Sequence, residues 1–200
     1  MSHRDGGFWL CTMKPDGTDM RRVTRRRGYT GGAFFSPDGE WLVYRSLYPA
    51  SPKDEEMLAK MDQERALIPF KGMGIEICMS RADGSEERTL TKTGKINFAP
   101  SFHPDGRRVV YSLGRTTVAE HAALFSVVTT GLEAPLELSR GTPSFVSEFQ
   151  LSADGSRVVY RADETSINRG NVNLYAWLEL APSKNGTSDP FTVHPGPFSR

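Results

Sequence analysis

The stretch "SFHPDGRRVVYS" (101–112) has the pattern of a short strand, a tight turn at Pro-Asp-Gly and a second strand. The same order recurs in "FFSPDGEWLVYRS" (34–46) and in "FQLSADGSRVVYRAD" (149–163). An Asp side chain can bond to the backbone of a turn and Gly tolerates positive φ, so Asp-Gly between two apolar runs indicates a β-hairpin. The chain therefore contains three copies of one predicted hairpin.

A second kind of Asp-Gly turn occurs in "KPDGTDMRRVT" (14–24) and in "RADGSEERTLT" (81–91), each time before a short run that closes on Thr. The two kinds alternate at a fixed phase, because Asp16 precedes Asp38 by the same spacing as Asp83 precedes Asp105. The interval from Asp105 to Asp154 fits the roughly 40–50 residues of a four-stranded propeller blade. The unbroken apolar runs also fit, because such strands are buried on both faces.

The positions with the clearest predicted role are those that shape the turns. Pro presets φ at the first corner of two hairpins, Ala153 takes its place in the third, and Gly accepts the positive φ that follows. These assignments are structural, and the sequence predicts no catalytic, cofactor-binding or metal-binding residue. The turn residues are Asp16, Gly17, Pro37, Asp38, Gly39, Asp83, Gly84, Pro104, Asp105, Gly106, Asp154 and Gly155.

The interval from Asp38 to Asp105 is longer than one blade needs, so it contains an insertion, which we place at 49–73. Ser51, with Pro directly after it and Asp54 at the third helical position, has the form of a capped helix start. Apolar residues then follow at helical spacing until Pro69 and Gly72 end the pattern. The segment predicts one short amphipathic helix on the rim of the propeller, packed back against it.

These repeats resemble the TolB-type propeller repeat, whose units have the form "P-x-F-S-P-D-G-x-x-I-x-Y-x-S", then a strand of the type "I-Y-V-M-N", then "D-G-S-x-x-R-x-L-T". The resemblance implies an all-β fold, a β-propeller of four-stranded antiparallel blades. Related repeats also form the non-catalytic propeller of prolyl-oligopeptidase-like serine peptidases. The matching segments are "GGAFFSPDGEWLVYRS" (31–46), "GIEICMSRADGSEERTLT" (74–91), "FAPSFHPDGRRVVYSL" (98–113) and "SEFQLSADGSRVVYRAD" (147–163).

The repeats divide the chain into too few blades to close a ring, because the first segment enters a blade at its middle. We therefore expect a partial or open propeller with one helical insertion, a fragment of a larger one, whose open blade faces can self-associate. The predicted divisions are a half-blade at 1–30, a blade at 31–95, a blade at 96–142, a blade at 143–180 and an irregular tail at 181–200.

Charge and hydropathy narrow the choice of partner. The chain has 25 Lys and Arg against 24 Asp and Glu, a net charge of +1, so no overall field attracts nucleic acid. No apolar run is long enough to cross a bilayer, which predicts no membrane span. The opening "MSHRDGGFWL" lacks the apolar core of a secretory signal peptide, whereas the TolB resemblance implies a periplasmic or secreted location. The compartment therefore stays open.

Individual reactive residues have structural interpretations. Cys11 and Cys78 lie at the same position of successive units, where small buried groups are expected. His103 stands where the other two hairpins have Ser, which favours a turn-stabilising or exposed histidine. His121 adjoins a single carboxylate, whereas structural metal sites use three or four ligands. None of these residues predicts a reaction.

Two polar segments are weak candidates for binding. "RRVTRRR" (21–27) is short and is followed by only one stacking aromatic, so a solvated strand end is favoured over a nucleic-acid site. "DETSINRGNVN" (163–173) lacks the regular spacing of a calcium loop, so a polar loop is favoured there. The sequence contains no G-x-S-x-G, H-E-x-x-H, phosphate-loop or dinucleotide motif. No cofactor is expected.

Three functions remain open from the sequence. The first is a non-enzymatic TolB-like propeller module that binds a protein or peptide through its rim loops and central funnel. The second is the substrate-gating propeller of a prolyl-oligopeptidase-like serine peptidase whose catalytic domain lies outside this chain. A third and weaker alternative is a hydrolase that acts through loop residues of the propeller itself. Fold alone does not choose among them.

Overall fold

A computed structural model describes residues 8–64, 74–114, 123–139, 145–163, 173–182 and 191–195. Within these ranges the chain forms one helix and fourteen strands, and almost every strand is followed along the chain by its neighbour in space. The half-sheet consists of β1 (Cys11–Thr12) and β2 (Arg21–Arg22). The first sheet consists of β3 (Tyr29–Phe35), β4 (Trp41–Leu47), β5 (Glu76–Arg81) and β6 (Arg88–Thr89).

The second and third sheets repeat this plan. Each is a four-stranded antiparallel meander in which sequence order equals spatial order. The prediction of an all-β partial propeller with four-stranded blades and one helical insertion is confirmed. The second sheet consists of β7 (Ile96–Phe102), β8 (Arg108–Gly114), β9 (Ala123–Val128) and β10 (Leu136–Glu137), and the third of β11 (Phe145–Leu151), β12 (Arg157–Asp163), β13 (Asn173–Pro182) and β14 (Phe191–Pro195).

The packing of the second strand of each sheet explains why that strand contains an uninterrupted apolar run. Tyr44 on β4 is buried with Leu10 of the half-sheet, whereas its neighbour Val43 is buried in the cluster shared with the second sheet. On β8, Tyr111 belongs to that same cluster, whereas Val110 is buried with the third sheet. Alternate side chains therefore pack on the preceding and the following sheet. Each fully buried apolar side chain contributes roughly 1.5–3 kcal/mol to the free energy of folding.

The helix α1 (Pro52–Glu64) lies in the connection between β4 and β5. Its cap follows the sequence pattern, since the Ser51 hydroxyl accepts the Asp54 N–H at 3.2 Å and the Asp54 carboxylate accepts the Ala50 N–H at 3.0 Å. Leu58 is buried against Leu47 and Ile75, so the helix packs back on the sheets. Pro69 and Gly72, predicted to end the helix, lie outside the described residues.

The irregular tail predicted at 181–200 is wrong for part of its length. Phe191–Pro195 forms β14, which pairs with the end of β13 in the register Leu178 opposite Pro195 and Leu180 opposite Val193. The composition of the segment, rich in Gly, Pro and Ser, suggested a loop. Pairing with an exposed strand edge supplies backbone hydrogen bonds that outweigh this weak local preference.

Candidate binding groove at the inner strands

The Asp-Gly turns share one geometry. In each, the Asp Oδ1 accepts the backbone N–H of the residue two positions later, and the Gly adopts positive φ. Hydrogen bonds from the Ser152 hydroxyl and the Ser156 backbone lower the pKa of the Asp154 carboxyl to about 2. The donor–acceptor distances are 2.9 Å at Asp16, 3.0 Å at Asp38, 2.8 Å at Asp83, 2.7 Å at Asp105 and 3.0 Å at Asp154. Values of φ are +83° at Gly17, +75° at Gly39, +86° at Gly84, +68° at Gly106 and +72° at Gly155.

One turn also joins two sheets. His103 is buried, and its Nε2 lies 3.0 Å from the carbonyl oxygen of Gly155 in the corresponding turn of the third sheet. Its Nδ1 accepts the Asp105 N–H at 3.3 Å and lies 3.1 Å from the Asp105 carboxylate. A Cβ on Gly155 would lie only 2.4 Å from Nε2, so the ring fits this glycine closely. His103 is thus a structural contact between sheets, in keeping with the turn-stabilising interpretation.

The first strand of each sheet carries a β-bulge. The register with the second strand shifts between Gly31 and Phe34 in the first sheet and between Phe98 and Ser101 in the second, and a third shift occurs in β11. Within the bulges, Gly32 has φ of +59° and Ala99 has φ of +49°. We call β3, β7 and β11 the inner strands, because β7 contacts both of the others. Bulges bend strands and redirect side chains. These three bulges lie where the inner strands of the three sheets come together.

The inner strands enclose an open groove of about 460 Å³. Its walls are mainly apolar, and Phe34 of the first sheet projects into it with about half of its surface exposed. Polar atoms enter from Ser101 and from the turn of the third sheet. The lining residues are Phe34, Ala99, Pro100, Ser101, Phe102, Pro104, Phe149, Gln150, Leu151, Ser152 and Ala153. An apolar cleft with a few polar groups is the usual form of a binding site.

Buried polar contacts hold the sheets around this groove. Thr30 donates its hydroxyl proton to the Phe8 carbonyl oxygen at 2.6 Å, and Asn97, at the equivalent position of β7, donates its amide to the Ile75 carbonyl oxygen at the same distance. Short parallel bridges accompany both contacts, one of them between Phe8 and Tyr29. The inner strand β3 is therefore attached to the segment before β1, and the inner strand β7 to the segment before β5.

The two cysteines lie at equivalent positions, Cys11 opposite Arg22 and Cys78 opposite Thr89. Both are free thiols. Cys78 is buried, its Sγ lies 2.9 Å from the Ser46 hydroxyl, and burial raises the pKa of its thiol. A raised pKa disfavours the reactive thiolate, so Cys78 acts as a packing group.

The arginine run also has partners within the chain. The guanidinium of Arg22 lies 3.3 Å from the ring centre of Trp9, that of Arg26 lies 4.0 Å from the ring centre of Tyr48, and Arg27 forms an ion pair with Glu55 at 3.2 Å. Arg22 and Arg26 therefore stack on aromatic rings of this chain, and Arg27 lies beside a carboxylate.

The remaining candidates add no reactive centre. His121 and most of the 163–173 loop lie outside the described residues. Across the ranges that the structure describes, no three His, Cys, Asp or Glu side chains meet in a way that could hold a metal ion. The single described helix lacks the length and apolar character needed to cross a membrane. The groove, which sequence reasoning placed only as a central funnel, is the candidate site. The aromatic pair "FF" (34–35) before the first hairpin turn is the one sequence feature that could have drawn attention to it.

Comparison with known proteins agrees with this geometry. No family model matches the chain. A TolB homolog of Chlorobium luteolum is 23% identical over 135 residues, which cover 58% of this chain and 31% of that protein. The structure of a TolB-type protein from Agrobacterium tumefaciens superimposes with a TM-score of 0.62 at 18% identity, over 96% of this chain and 57% of that one. The fold of this chain is therefore similar to that of TolB-type propellers.

The TolB-like architecture is shared with enzymes. An oligogalacturonate lyase in complex with manganese superimposes with a TM-score of 0.57 at 15% identity, over 93% of this chain and 41% of the lyase. The tricorn protease superimposes with a TM-score of 0.54 at 10% identity, over 96% of this chain and 18% of the protease. At such identities the likeness concerns the fold alone. The chain spans about a third of the Chlorobium relative and just over half of the Agrobacterium one.

Proposed function

We propose that the chain is a non-enzymatic TolB-like binding module that holds a protein or peptide segment in the groove at the inner strands. The groove supports this proposal, because it is apolar, open to solvent and built from all three complete sheets. Phe34 is the residue of the groove that most favours binding. Its large aromatic side chain is exposed to water, and a bound ligand would bury it. A periplasmic or secreted location, implied by the TolB resemblance, belongs to the same proposal.

The positions equivalent to Phe34 support a role in binding over a role in folding. The register aligns Phe34 opposite Val43, Ser101 opposite Val110 and Gln150 opposite Val159. Two of the three sheets therefore use a polar residue where the first uses an exposed aromatic one. Ser101 also offers a substitution for Phe34 that this fold already contains.

The test is selection of binding peptides from a displayed library on the whole chain. We expect peptides whose affinity falls at least about tenfold on Phe34→Ser, since burying an aromatic side chain contributes more than about 1.4 kcal/mol. Leu132→Ser, at an exposed apolar residue outside the groove, serves as the matched control and should leave affinity unchanged. Failure to select any peptide, or equal binding by wild type and Phe34→Ser, would contradict the proposal.

The alternative is the propeller portion of a serine peptidase, and the fold likeness to the tricorn protease is the observation that favours it. In that case the groove admits substrate to a catalytic domain that this chain does not contain. The sequence has no G-x-S-x-G nucleophile motif of its own. Turnover of a peptide library by the purified chain would instead support catalysis by the propeller loops and exclude the non-enzymatic proposal.

A further inference from the structure

Arg45 on β4 is a partly buried cation that no described residue neutralises. Its Nε is buried without a hydrogen-bond partner, and none of the ion pairs among the described residues includes it. The Cζ of its guanidinium lies 5.6 Å from the ring centre of Tyr29. Taking a cation out of water costs free energy unless an anion or another acceptor replaces the water. Arg45 therefore has donors that suit an acceptor from outside these residues.

Strand register places Arg45 on the same face of the first sheet as the groove. Phe34 is opposite Val43, and Gly31 is opposite Arg45. Because Val43 and Arg45 are two residues apart on one strand, their side chains point to the same side, roughly 7 Å apart. Val43 is buried in the cluster shared with the second sheet. Arg45 thus follows the Phe34–Val43 pair along the face that meets the second sheet.

The bulge of β3 leaves the guanidinium without a side chain beside it. Gly32 lies in this bulge, and a Cβ added there would lie 3.7 Å from the Arg45 Nε. Among the described residues, only atoms of Arg45 come within 4 Å of that position. The equivalent residue of the second sheet, Ala99, carries a Cβ and lines the groove. Glycine at position 32 therefore keeps the approach to the Nε free of a side chain.

Charge distinguishes Arg45 from the groove itself. The residues that line the groove are Phe, Ala, Pro, Ser, Gln and Leu, so its walls carry no charged side chain. Such walls favour an uncharged apolar group and disfavour a charged one. Arg45 adds an unneutralised positive charge on the same sheet face. A ligand that complements both features has an apolar group in the groove and a negative charge beside it.

We propose that the groove binds an extended peptide segment in which an apolar residue packs on Phe34 and an acidic side chain two positions away binds Arg45. Residues two apart in an extended chain lie on one side, roughly 7 Å apart, which matches the spacing of Val43 and Arg45. A guanidinium can bind a carboxylate through two parallel N–H···O hydrogen bonds. This inference rests on the proposed function and names the chemistry of its partner.

The probes are peptides selected on the whole chain from a displayed library in which Phe and Glu are fixed two positions apart, in both orders. Each selected peptide is also made with Gln in place of Glu, and both termini are blocked so that the side chain is the only carboxylate compared. We expect the Glu peptides to bind at least about tenfold more tightly than their Gln counterparts, because only a carboxylate pairs with the guanidinium. High salt should narrow this difference.

Variants of the chain assign the effect to Arg45. Arg45→Gln should lower affinity for the Glu peptides at least about tenfold and change affinity for the Gln peptides less than about twofold. Arg45→Lys keeps the charge without the planar fork and should retain part of the affinity for the Glu peptides. Arg25→Gln removes the same charge from an exposed residue outside the groove and is the matched control, with affinities unchanged. Thermal unfolding checks that each variant is folded.

Three results would overturn the inference. Equal affinity of the wild-type chain for Glu and Gln peptides, with both weakened by Phe34→Ser, would refute the acidic preference while the proposed function stands. Equal losses for both kinds of peptide on Arg45→Gln would show that Arg45 acts only through the fold. Failure of the library to yield any peptide weakened by Phe34→Ser would refute the groove as a binding site, and with it both proposals.

Discussion

Two interfaces between neighbouring sheets use equivalent residues of successive units. One lies between the half-sheet and the first sheet, and the other lies between the first and second sheets. Tyr44 and Tyr111 are fully buried in the two interfaces, and a short parallel bridge closes both. Their inner ends differ, because Phe35 is exposed and Phe102 is buried. The third and fourth strands of a blade therefore complete the outer part of an interface, whereas the inner part requires the first and second strands as well.

The largest expected effect comes from truncating the two equivalent phenylalanines. Phe102→Ala should lower the free energy of unfolding by about 3–5 kcal/mol, because it leaves a cavity in the core shared by two sheets. Phe35→Ala should change it by less than about 0.5 kcal/mol, since the side chain is already largely exposed. Urea denaturation of both variants measures the difference. Equal losses would mean that Phe35 is buried in solution by a contact of its own.

A second pair of variants tests how closely the half-sheet docks. Gly17 and Gly84 occupy equivalent turns with φ of +83° and +86°, but an added Cβ meets nothing within 4 Å at Gly17 and lies 2.1 Å from the Val23 carbonyl oxygen at Gly84. Gly17→Ala should cost about 1–2 kcal/mol from backbone strain alone. Gly84→Ala should cost about 1–3 kcal/mol more, because a backbone atom must move.

Denaturant unfolding followed by tryptophan fluorescence measures both glycine variants, and Trp9 lies in the half-sheet region itself. We expect the emission of Gly84→Ala to change at a lower urea concentration than that of Gly17→Ala. Identical midpoints would indicate that the half-sheet does not hold the position next to Gly84.

A smaller effect is expected at the bulges of the inner strands. Gly32 and Ala99 are equivalent and both have positive φ, but only Ala99 carries a Cβ. Ala99→Gly should stabilise the chain by about 0.5–1 kcal/mol, because relief of left-handed strain exceeds the added freedom of the unfolded chain. Gly32→Ala should destabilise it by about 1 kcal/mol, because it introduces the same strain. Thermal unfolding gives both signs, and a loss of stability on Ala99→Gly would show that the methyl group is needed in the groove wall.

The smallest expected effect is a loss of thermal stability at acidic pH. Hydrogen bonds from Ser152 and Ser156 hold the pKa of Asp154 at about 2, below its ordinary value of 3.8. A carboxyl whose pKa is lowered by folding stabilises the protein fully above its unfolded value and loses that contribution as pH falls through the folded value. The melting temperature should therefore drop between about pH 4 and pH 2, and less steeply in Asp154→Asn. Parallel curves for wild type and variant would show that this turn does not contribute.

Much of the fold could be predicted from the sequence, because the repeat indicates both the turns and the strands between them. Recurrent Asp-Gly pairs indicate hairpins, and Leu-Val-Tyr or Val-Val-Tyr after three of these pairs indicates strands buried on two faces. The helix cap at Ser51 was equally local. Each of these signals depends on residues close to one another along the chain, which a single sequence displays directly.

The groove and the exposure of Phe35 could not be predicted from the sequence in the same way. Nothing in the sequence indicates that Phe35 is exposed while Phe102 is buried, because that depends on strands far away along the chain. Positive φ at Ala99 contradicts local preference and is imposed by the bulge. The strand at Phe191–Pro195 was missed for a similar reason, since its partner and not its composition makes it a strand.

The meander order of the strands has a consequence for how the chain folds. Every four-stranded sheet is made from strands that are neighbours in sequence, so most strand pairs form by closing short loops. Each sheet can therefore assemble during synthesis before the next has left the ribosome. We expect docking of successive sheets, through Tyr111 and His103, to be the slow step. Variants at these interfaces should alter folding rates more than variants in the hairpin turns, a difference visible in stopped-flow refolding.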